Sequence, residues 1–558
     1  MKKTTCHFLF TLLLIVVFQS CAKRGTPDGG PEDFDPPVYV RASPENFTTN
    51  FSSKEIRIYF DEYIKLNDAQ RQVIVSPPMD PKPEITPMGS ASKSIRIRIT
   101  DTLQENTTYT INFGQSIVDN NAGNPLPFFQ YIFSTGSYID SLSVKGTISD
   151  AYFKETPSFV SVMLYEVDST YSDSTIFLQQ PRYITNTLDS LTSFNLNYLK
   201  EGTYQLVALN DLNNNYRFDP NRENIAFLDR TITIPTDSVY DLRLFREIPS
   251  FGMTRPKQVA GQHIIFGYTG IIDPDSLQIN MYPTPPDLEH RITKDIETDT
   301  LHYWFRPALE RDSLNFVVKG PDFTDSLLTR HSKMELDSLN LRIEPSGTVN
   351  FEESIRIIPN NPLSQTDDSL ITLVDQDTIA VPFTLEYNEF QNQVLLDFQR
   401  KENQRYNLLV LPGGFVDFFG DANDTIRSNF RTQTLADYGN VVVNLQNIKQ
   451  FPIIVQLTDK DGKVIAEQFS SAETSFTFSL VKPATYFIRV IYDRNNNGKW
   501  DTGNYLEKLQ PEEVYYFLEP LDVRANWDVT QMVDLNYTPP PGSFEPGPEE
   551  ETDPLDVE

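Results

Sequence analysis

The chain has 558 residues, 39 of them proline and 12% aromatic, and a formal charge of −30. That length calls for several domains, each with its own core, and so much proline and aromatic residue fits many short strands better than helices. The charge repels anionic polymers, which excludes nucleic acid as a partner and disfavours a basic membrane-binding face. In chain order, the first element is an export signal over residues 1–20. Lys2 and Lys3 form its basic start, and the apolar stretch from Phe8 to Phe18 suits a signal peptide but is too short to span a bilayer.

The signal ends in Phe18-Gln19-Ser20-Cys21. A small residue directly before Cys resembles a bacterial lipobox, and this resemblance implies that Cys21 is acylated, for example with palmitate, and becomes the first residue of an outer-membrane lipoprotein. The alternative is ordinary secretion with a chance Cys. Acyl burial gives about 0.8 kcal/mol per CH₂, so several chains on Cys21 make a stable anchor. Cys6 lies inside the signal, so a lipidated Cys21 leaves no thiol for a disulfide, a metal or catalysis. Residues 21–35 are Gly/Pro-rich and acidic and read as a flexible tether. Acids at Asp28, Glu32 and Asp33 resemble the surface-export signal of Bacteroidota lipoproteins, which implies an outward-facing protein, the periplasmic face of the outer membrane being the alternative.

Residues 36–137 alternate clearly. Ile56, Ile58 and Phe60, then Ile95, Ile97 and Ile99, then Tyr109, Ile111 and Phe113 each read as a half-buried strand. Opening prolines, "FDE", "TYTI", "DNNAGN" and "FSTG" resemble the bacterial Ig-like domain of S-layer and surface proteins, which implies a seven-stranded sandwich and no reaction. Residues 138–249, with "GTYQL", resemble the prealbumin-like (Cna-B-type) sandwiches that serve as spacers in bacterial surface proteins. Residues 250–336 carry strands such as "HIIFGYTG" and "LHYWFRP" but no family signal. Residues 337–437 resemble a second Ig-like domain, "SIRIIPNNPL" echoing "EIRIYFDEYI". Residues 438–535 repeat the prealbumin-like pattern in "ATYFIRVIYDRNNNG". The expected fold class is therefore all-β: tandem β-sandwich domains forming a stiff, elongated or curved row. Residues 536–558 are proline, glycine and acid without an apolar face, and read as a disordered acidic tail, either simply solvated or docking on a basic partner.

Two Asp/Asn clusters follow long strands. Calcium takes six to eight oxygens, supplied at alternate positions of a tight loop. Asp493, Asn495, Asn497 and Asp501 stand at positions 1, 3, 5 and 9 of such a loop, Gly498 sits at the bend, and Lys499 offers its backbone carbonyl at position 7. Position 12 is Asn504, so Glu507 or Glu512 would have to reach in. The earlier copy has Asp211, Asn213, Asn215 and Asp219, with Tyr216 in place of the Gly and Glu223 one residue late. Structural Ca²⁺ at one or both loops is one expectation. An Asn-rich turn bonded to its own backbone is the other.

No catalytic motif is visible. The histidines His263, His290, His302 and His331 lack metal-pair spacing, and neither a nucleophile elbow nor a phosphate loop occurs. Acid pairs such as Glu352-Glu353 supply no cleft geometry for glycosidase chemistry. Asp-Ser/Thr followed by an aliphatic residue recurs, as at Asp140-Ser141-Leu142 and Asp312-Ser313-Leu314. It resembles the O-glycosylation acceptor of exported Bacteroidota proteins and equally suits turns before strands. The chain therefore reads as a non-enzymatic scaffold, with an integral outer-membrane barrel protein or other surface lipoproteins as partners. A glycan- or host-binding adhesin is the alternative, to be distinguished by exposed aromatic platforms at Trp304, Trp500 or Trp527. An enzyme hidden in residues 250–336 is the third reading.

Overall fold

A computed structural model describes residues 34–188, 191–320, 323–517 and 519–536. Cys21, the signal peptide and most of the tether and tail lie outside the described residues. Within them the helical content is two four-residue turns, Ala69–Gln72 and Thr175–Leu178, and two 3₁₀ turns. No helix among the described residues is long and apolar enough to cross a membrane. The described residues fold as five successive β-sandwiches, and each has its own cluster of buried apolar side chains between two sheets.

The first sandwich holds β1 (Tyr39–Ser43), β2 (Glu55–Leu66), β3 (Ile74–Ser76), β4 (Glu84–Thr86), β5 (Ser92–Arg98), β6 (Thr108–Asn112), β7 (Ile117–Asp119) and β8 (Gln130–Ser134). One sheet runs β1-β2-β5-β4, with β7 beside the far half of β2, and the other runs β3-β6-β8. The alternating residues point inward: Ile56, Ile58, Ile95, Ile97, Ile111 and Phe113 are all fully buried.

The second sandwich holds β9 (Leu142–Asp150), β10 (Ser161–Glu166), β11 (Tyr183–Asn186), β12 (Ser193–Leu199), β13 (Gly202–Leu209), β14 (Ile225–Phe227), β15 (Ile232–Ile234) and β16 (Val239–Leu244). Its sheets are β12-β9-β16, with β16 parallel to β9, and β11-β10-β13-β14, with β15 also on β13.

The third holds β17 (Gly252–Met253), β18 (Lys257–Ala260), β19 (His263–Thr269), β20 (Gln278–Tyr282), β21 (Glu289–Lys294), β22 (Thr300–Arg306), β23 (Ser313–Lys319) and β24 (Thr324–Arg330). Its sheets, β17-β19-β22-β21 with β18 on β19, and β20-β23-β24, repeat the strand order of the first sandwich without a counterpart of β7. The sequence offered no family signal here, yet the topology matches.

The fourth holds β25 (Leu341–Glu344), β26 (Gly347–Thr348), β27 (Ile355–Pro359), β28 (Leu363–Thr366), β29 (Ile371–Asp375), β30 (Phe383–Asn388), β31 (Gln393–Phe398), β32 (Arg405–Val410), β33 (Phe415–Asp417) and β34 (Ile426–Arg431). It keeps the same order, β25-β27-β31-β30 against β26-β34-β32-β29. The long β2 is here divided, β27 pairing with β31 and β28 with β33.

The fifth holds β35 (Gly439–Gln446), β36 (Ile453–Thr458), β37 (Val464–Ser470), β38 (Ser475–Val481), β39 (Ala484–Tyr492), β40 (Val514–Tyr516), β41 (Leu521–Val523) and β42 (Asp528–Asp534). Its sheets, β38-β35-β42 with β42 parallel to β35, and β37-β36-β39-β40 with β41 on β39, reproduce the second sandwich strand for strand.

The row is not an open string. Strands β10, β13, β36 and β39 are buried on both faces, with Gln205, Gln456 and Arg489 set among apolar residues, and the second face of each must be covered. A further buried cluster supplies the cover for the second sandwich. It joins Met163, Tyr165, Val207 and Leu209 to Ile74 of the first sandwich and Tyr505 of the fifth. The fifth sandwich thus folds back on the second. Sandwiches two to five form a closed circuit, with the first attached to the second.

Candidate functional site

The two Asp/Asn loops leave equivalent strands, β13 and β39, and follow one backbone plan. In the second loop Asp493 accepts from the N–H groups of Asn497 (3.2 Å) and Gly498 (2.7 Å), Asn495 accepts from Asn497 N–H, and Asn497 accepts from Lys499 N–H. In the first, Asp211 accepts from Asn215 (3.3 Å) and Tyr216 (2.8 Å), Asn213 from Asn215 N–H, and Asn215 from Arg217 N–H. Gly498 has φ +72° and Tyr216 φ +60°, so the tyrosine occupies the left-handed position that favours glycine. Its strain is offset by packing, because the Tyr216 ring is buried and Lys82 of the first sandwich lies 4.8 Å over it.

The sequence left the closing acid of the second loop open between Glu507 and Glu512. It is Glu512, which accepts from the N–H groups of Arg494 (2.6 Å) and Asp501 (3.1 Å). Glu223 does the same for Leu212 and Asp219 in the first loop. Both glutamates are buried. Burial pushes their carboxyls above the usual range, against the pull of the backbone donors, and the neighbouring aspartates push the same way. Spacing alone did not separate Glu512 from Glu507, because ten residues lie between Glu512 and Asp501, whereas three separate Glu223 from Asp219.

The donors are oxygen-rich, as calcium requires. Among the described residues, however, no group of three Asp, Glu, His or Cys side chains stands close enough to hold a metal. In the second loop the side-chain amides of Asn495 and Asn497 donate to Asp501 Oδ2, Asn497 at 2.8 Å. Both amides would have to turn their oxygens inward for a cation. As they stand, the loops hold themselves rigid by Asx-type bonding.

Rigid loops make docking elements. The first loop faces the first sandwich, where Lys82 Nζ donates to Asn214 O at 3.1 Å. The same joint has Ile184 N–H donating to Ser76 Oγ (3.0 Å) and Asn186 donating to Arg71 O (3.1 Å). The second loop faces the second sandwich. Its extra residues carry Tyr505, which is fully buried against Phe227 (ring centroids 5.1 Å) and hydrogen-bonds Tyr171 Oη at 3.1 Å. Thr502, Gln510 and Lys508 reach Arg246 O, Phe227 O and Asp173 at 2.7–2.9 Å. Beside the loop, Arg489 of β39 is completely buried. It stacks 3.9 Å over Tyr152 of the second sandwich and donates to Tyr152 Oη (2.8 Å), Gln456 (2.6 Å) and Tyr516 Oη (2.8 Å). Trp500 packs 4.6 Å from Tyr152 and donates to Glu512 O.

The third and fourth sandwiches meet where Arg306 and Arg291 lie over Phe418, at 4.6 and 5.6 Å. Here the structure assembles a group that spacing hid. His263 Nε2 and His302 Nδ1 are 2.8 Å apart, Trp304 stacks on His263 at 3.5 Å, and Asp295 lies 3.6 Å from His302 Nε2. Burial, with His302 second, pushes His263 down to about 3. Burial also lowers His302, against the opposing pull of Asp295. Two neutral rings sharing one N–H suit a packed joint. Only cross-strand register places these histidines together. His290 stacks on Tyr303 and His331 bonds Arg311 O, each apart from this pair.

Residues 33–135 match the family model of the bacterial Ig-like domain. No curated protein matches the chain. Among solved structures, the S-layer protein SbsC is similar at 9% identity over 87% of this chain and 67% of that one, with a TM-score of 0.16. The Bacillus cereus major pilin subunit BcpA shows 11% identity over 72% of this chain and 100% of that one, with a TM-score of 0.14. The Bacillus anthracis TIE protein shows 9% identity over 91% and 76%, with a TM-score of 0.15.

Proposed function

We propose that the chain is an exported, lipid-anchored, non-enzymatic scaffold that contributes a rigid surface to an outer-membrane complex for barrel assembly, secretion or uptake. The observation that carries this reading is the set of joints. Buried aromatic and arginine contacts fix the fifth sandwich on the second, and such an investment in fixed geometry suits a part that holds others in place. In this reading Cys21 carries the lipid, and the partner is an integral barrel protein or a neighbouring surface lipoprotein. Affinity purification from membranes in mild detergent tests it. A stoichiometric barrel partner supports the scaffold, and recovery of the chain alone counts against it.

Adhesion is the second reading, and Trp527 favours it. It is 55% exposed with Arg524 5.1 Å over its ring, whereas Trp304 is buried and Trp500 is half-buried in the joint. Retention of lipid-free protein on polysaccharide, lost in Trp527→Ala, would move the assignment to adhesion. Calcium belongs to the same proposal as a stiffener of the two loops, held by Asp211, Asn213, Asn215, Asp219 and Glu223, and by Asp493, Asn495, Asn497, Asp501 and the Lys499 carbonyl. A melting temperature unmoved by chelator would remove it.

A further inference from the structure

The formal charge of −30 is unevenly spread. Residues 36–136 hold nine Lys/Arg and ten Asp/Glu, so the first sandwich contributes only −1. Within it four of the nine cations stand on the outer face of one sheet, where Glu55, Asp61 and Glu84 also lie. The register of sheet β1-β2-β5-β4 turns Ile56, Ile58, Ile95 and Ile97 inward, and it therefore turns Arg41, Arg57, Arg96 and Arg98 outward. Arg57 and Arg96 stand directly opposite each other, a like-charge cross-strand pair that costs stability unless anions lie beside it. Glu55, whose carboxyl is held down by its bond to Arg57 and by the nearby Arg96 and Arg98, supplies one such anion and leaves the cluster in excess of positive charge. Arg57 and Arg98 have acid partners, Glu55 at 2.6 Å and Glu84 at 3.7 Å. No ion pair among the described residues uses Arg41 or Arg96. Arg41 lies 4.1 Å over Tyr59, and Arg96 donates to Thr86 Oγ1. Beside Arg41, Val38 and Val40 are 57% and 55% exposed.

We propose that this face rests on a lipid surface bearing phosphate headgroups, the arginine forks taking phosphates and the two valines entering the interface. The inference deepens the anchor reading and rests on it. Val38 follows Cys21 by 17 residues, a tether of at most about 60 Å when extended, so an acyl anchor would hold this sandwich nearest the bilayer. The acidic sandwiches beyond it would be repelled by an anionic surface, which orients the molecule. The overall charge had disfavoured a basic membrane-binding face, and the sum concealed its local distribution.

The test uses the unacylated chain, residues 21–558 with Cys21→Ser, sedimented with vesicles of phosphatidylcholine alone or with phosphatidylglycerol added. Binding is expected to the anionic vesicles only, and to disappear in high salt. Arg57→Gln with Arg96→Gln should lower partitioning by about thirtyfold, whereas Lys460→Gln with Lys463→Gln on the fifth sandwich should leave it unchanged. Circular dichroism checks that these exposed substitutions keep the fold. Equal binding to both vesicles, no binding to either, or full binding by the arginine variant overturns the proposal. So does binding that appears only after residues 537–558 are removed, because the face would then belong to the chain's own acidic tail. Mass spectrometry of Cys21 reads the anchor separately, so failure of one is distinguishable from failure of the other.

Discussion

The second and fifth sandwiches share eight strands in one order, and a rigid Asp/Asn loop follows the same strand in each. They differ in what lies between the loop's last aspartate and its closing glutamate: three residues after Asp219, ten after Asp501. The short loop stays flush and meets the first sandwich through Tyr216. The long one carries Tyr505 into a neighbour that is 258 residues distant at Glu247, whose carboxylate accepts from Tyr505 N–H. One module thus becomes a joint to its chain neighbour or a clasp across the molecule, depending on a seven-residue difference. The frame is set by hydrogen bonds, and the address is set by the insert.

The largest expected effect tests the insert. Tyr505→Ala should remove about 4 kcal/mol of docking, releasing the fifth sandwich while both sandwiches stay folded. Limited proteolysis should then cut between them. Cutting unchanged from wild type would mean that the insert does not address the clasp. Next, Arg489→Ala strands the polar groups of Gln456, Tyr516 and Tyr152 in the same joint. A loss of about 3 kcal/mol in chemical denaturation is expected, against none for exposed Lys499→Ala on the adjoining loop.

Much of the fold was legible and much of the joint was not. Period-two runs such as Ile95-Arg96-Ile97-Arg98 state both strand and buried face. The Asp/Asn spacing located both loops, because Asx bonding is local. The insert left Glu507 and Glu512 undistinguished, and Tyr216 looked like a defect although the neighbouring sandwich supports it. The clasp and the His263–His302 pair depend on contacts between distant segments, which periodicity cannot report. One signal did exist: "SVMLYE", "YQLVAL" and "IIVQLT" are continuous rather than alternating, which marks strands covered on both faces.

Smaller effects sharpen the likeness of the two loops. Tyr216→Gly sets relief at φ +60° against loss of the buried ring that meets the first sandwich. A net loss of about 2 kcal/mol is expected in chemical denaturation, smaller than at Tyr505, and no loss would mean that the turn rather than the ring holds the first joint. Glu223→Gln and Glu512→Gln each keep one acceptor but turn a hydrogen toward the second backbone N–H, so each should cost about 1 kcal/mol at neutral pH. Burial raises both carboxyls when folded, so the folded chain holds protons that the unfolded chain releases. Their contribution to stability therefore falls as pH rises from the usual carboxylate range through the raised value, and both Gln variants should flatten that slope equally. Unequal slopes would show that the loops are not electrostatic equals.

The account depends most on the fifth sandwich being fixed to the second. With the signal peptide removed and Cys21→Ser in place no other cysteine is left, so spin labels at Ser238→Cys and Ala472→Cys, both exposed, report this distance cleanly. Double electron–electron resonance should give one narrow distance distribution in the parent chain and a broad one after Tyr505→Ala. A broad distribution in the parent chain would contradict the closed circuit.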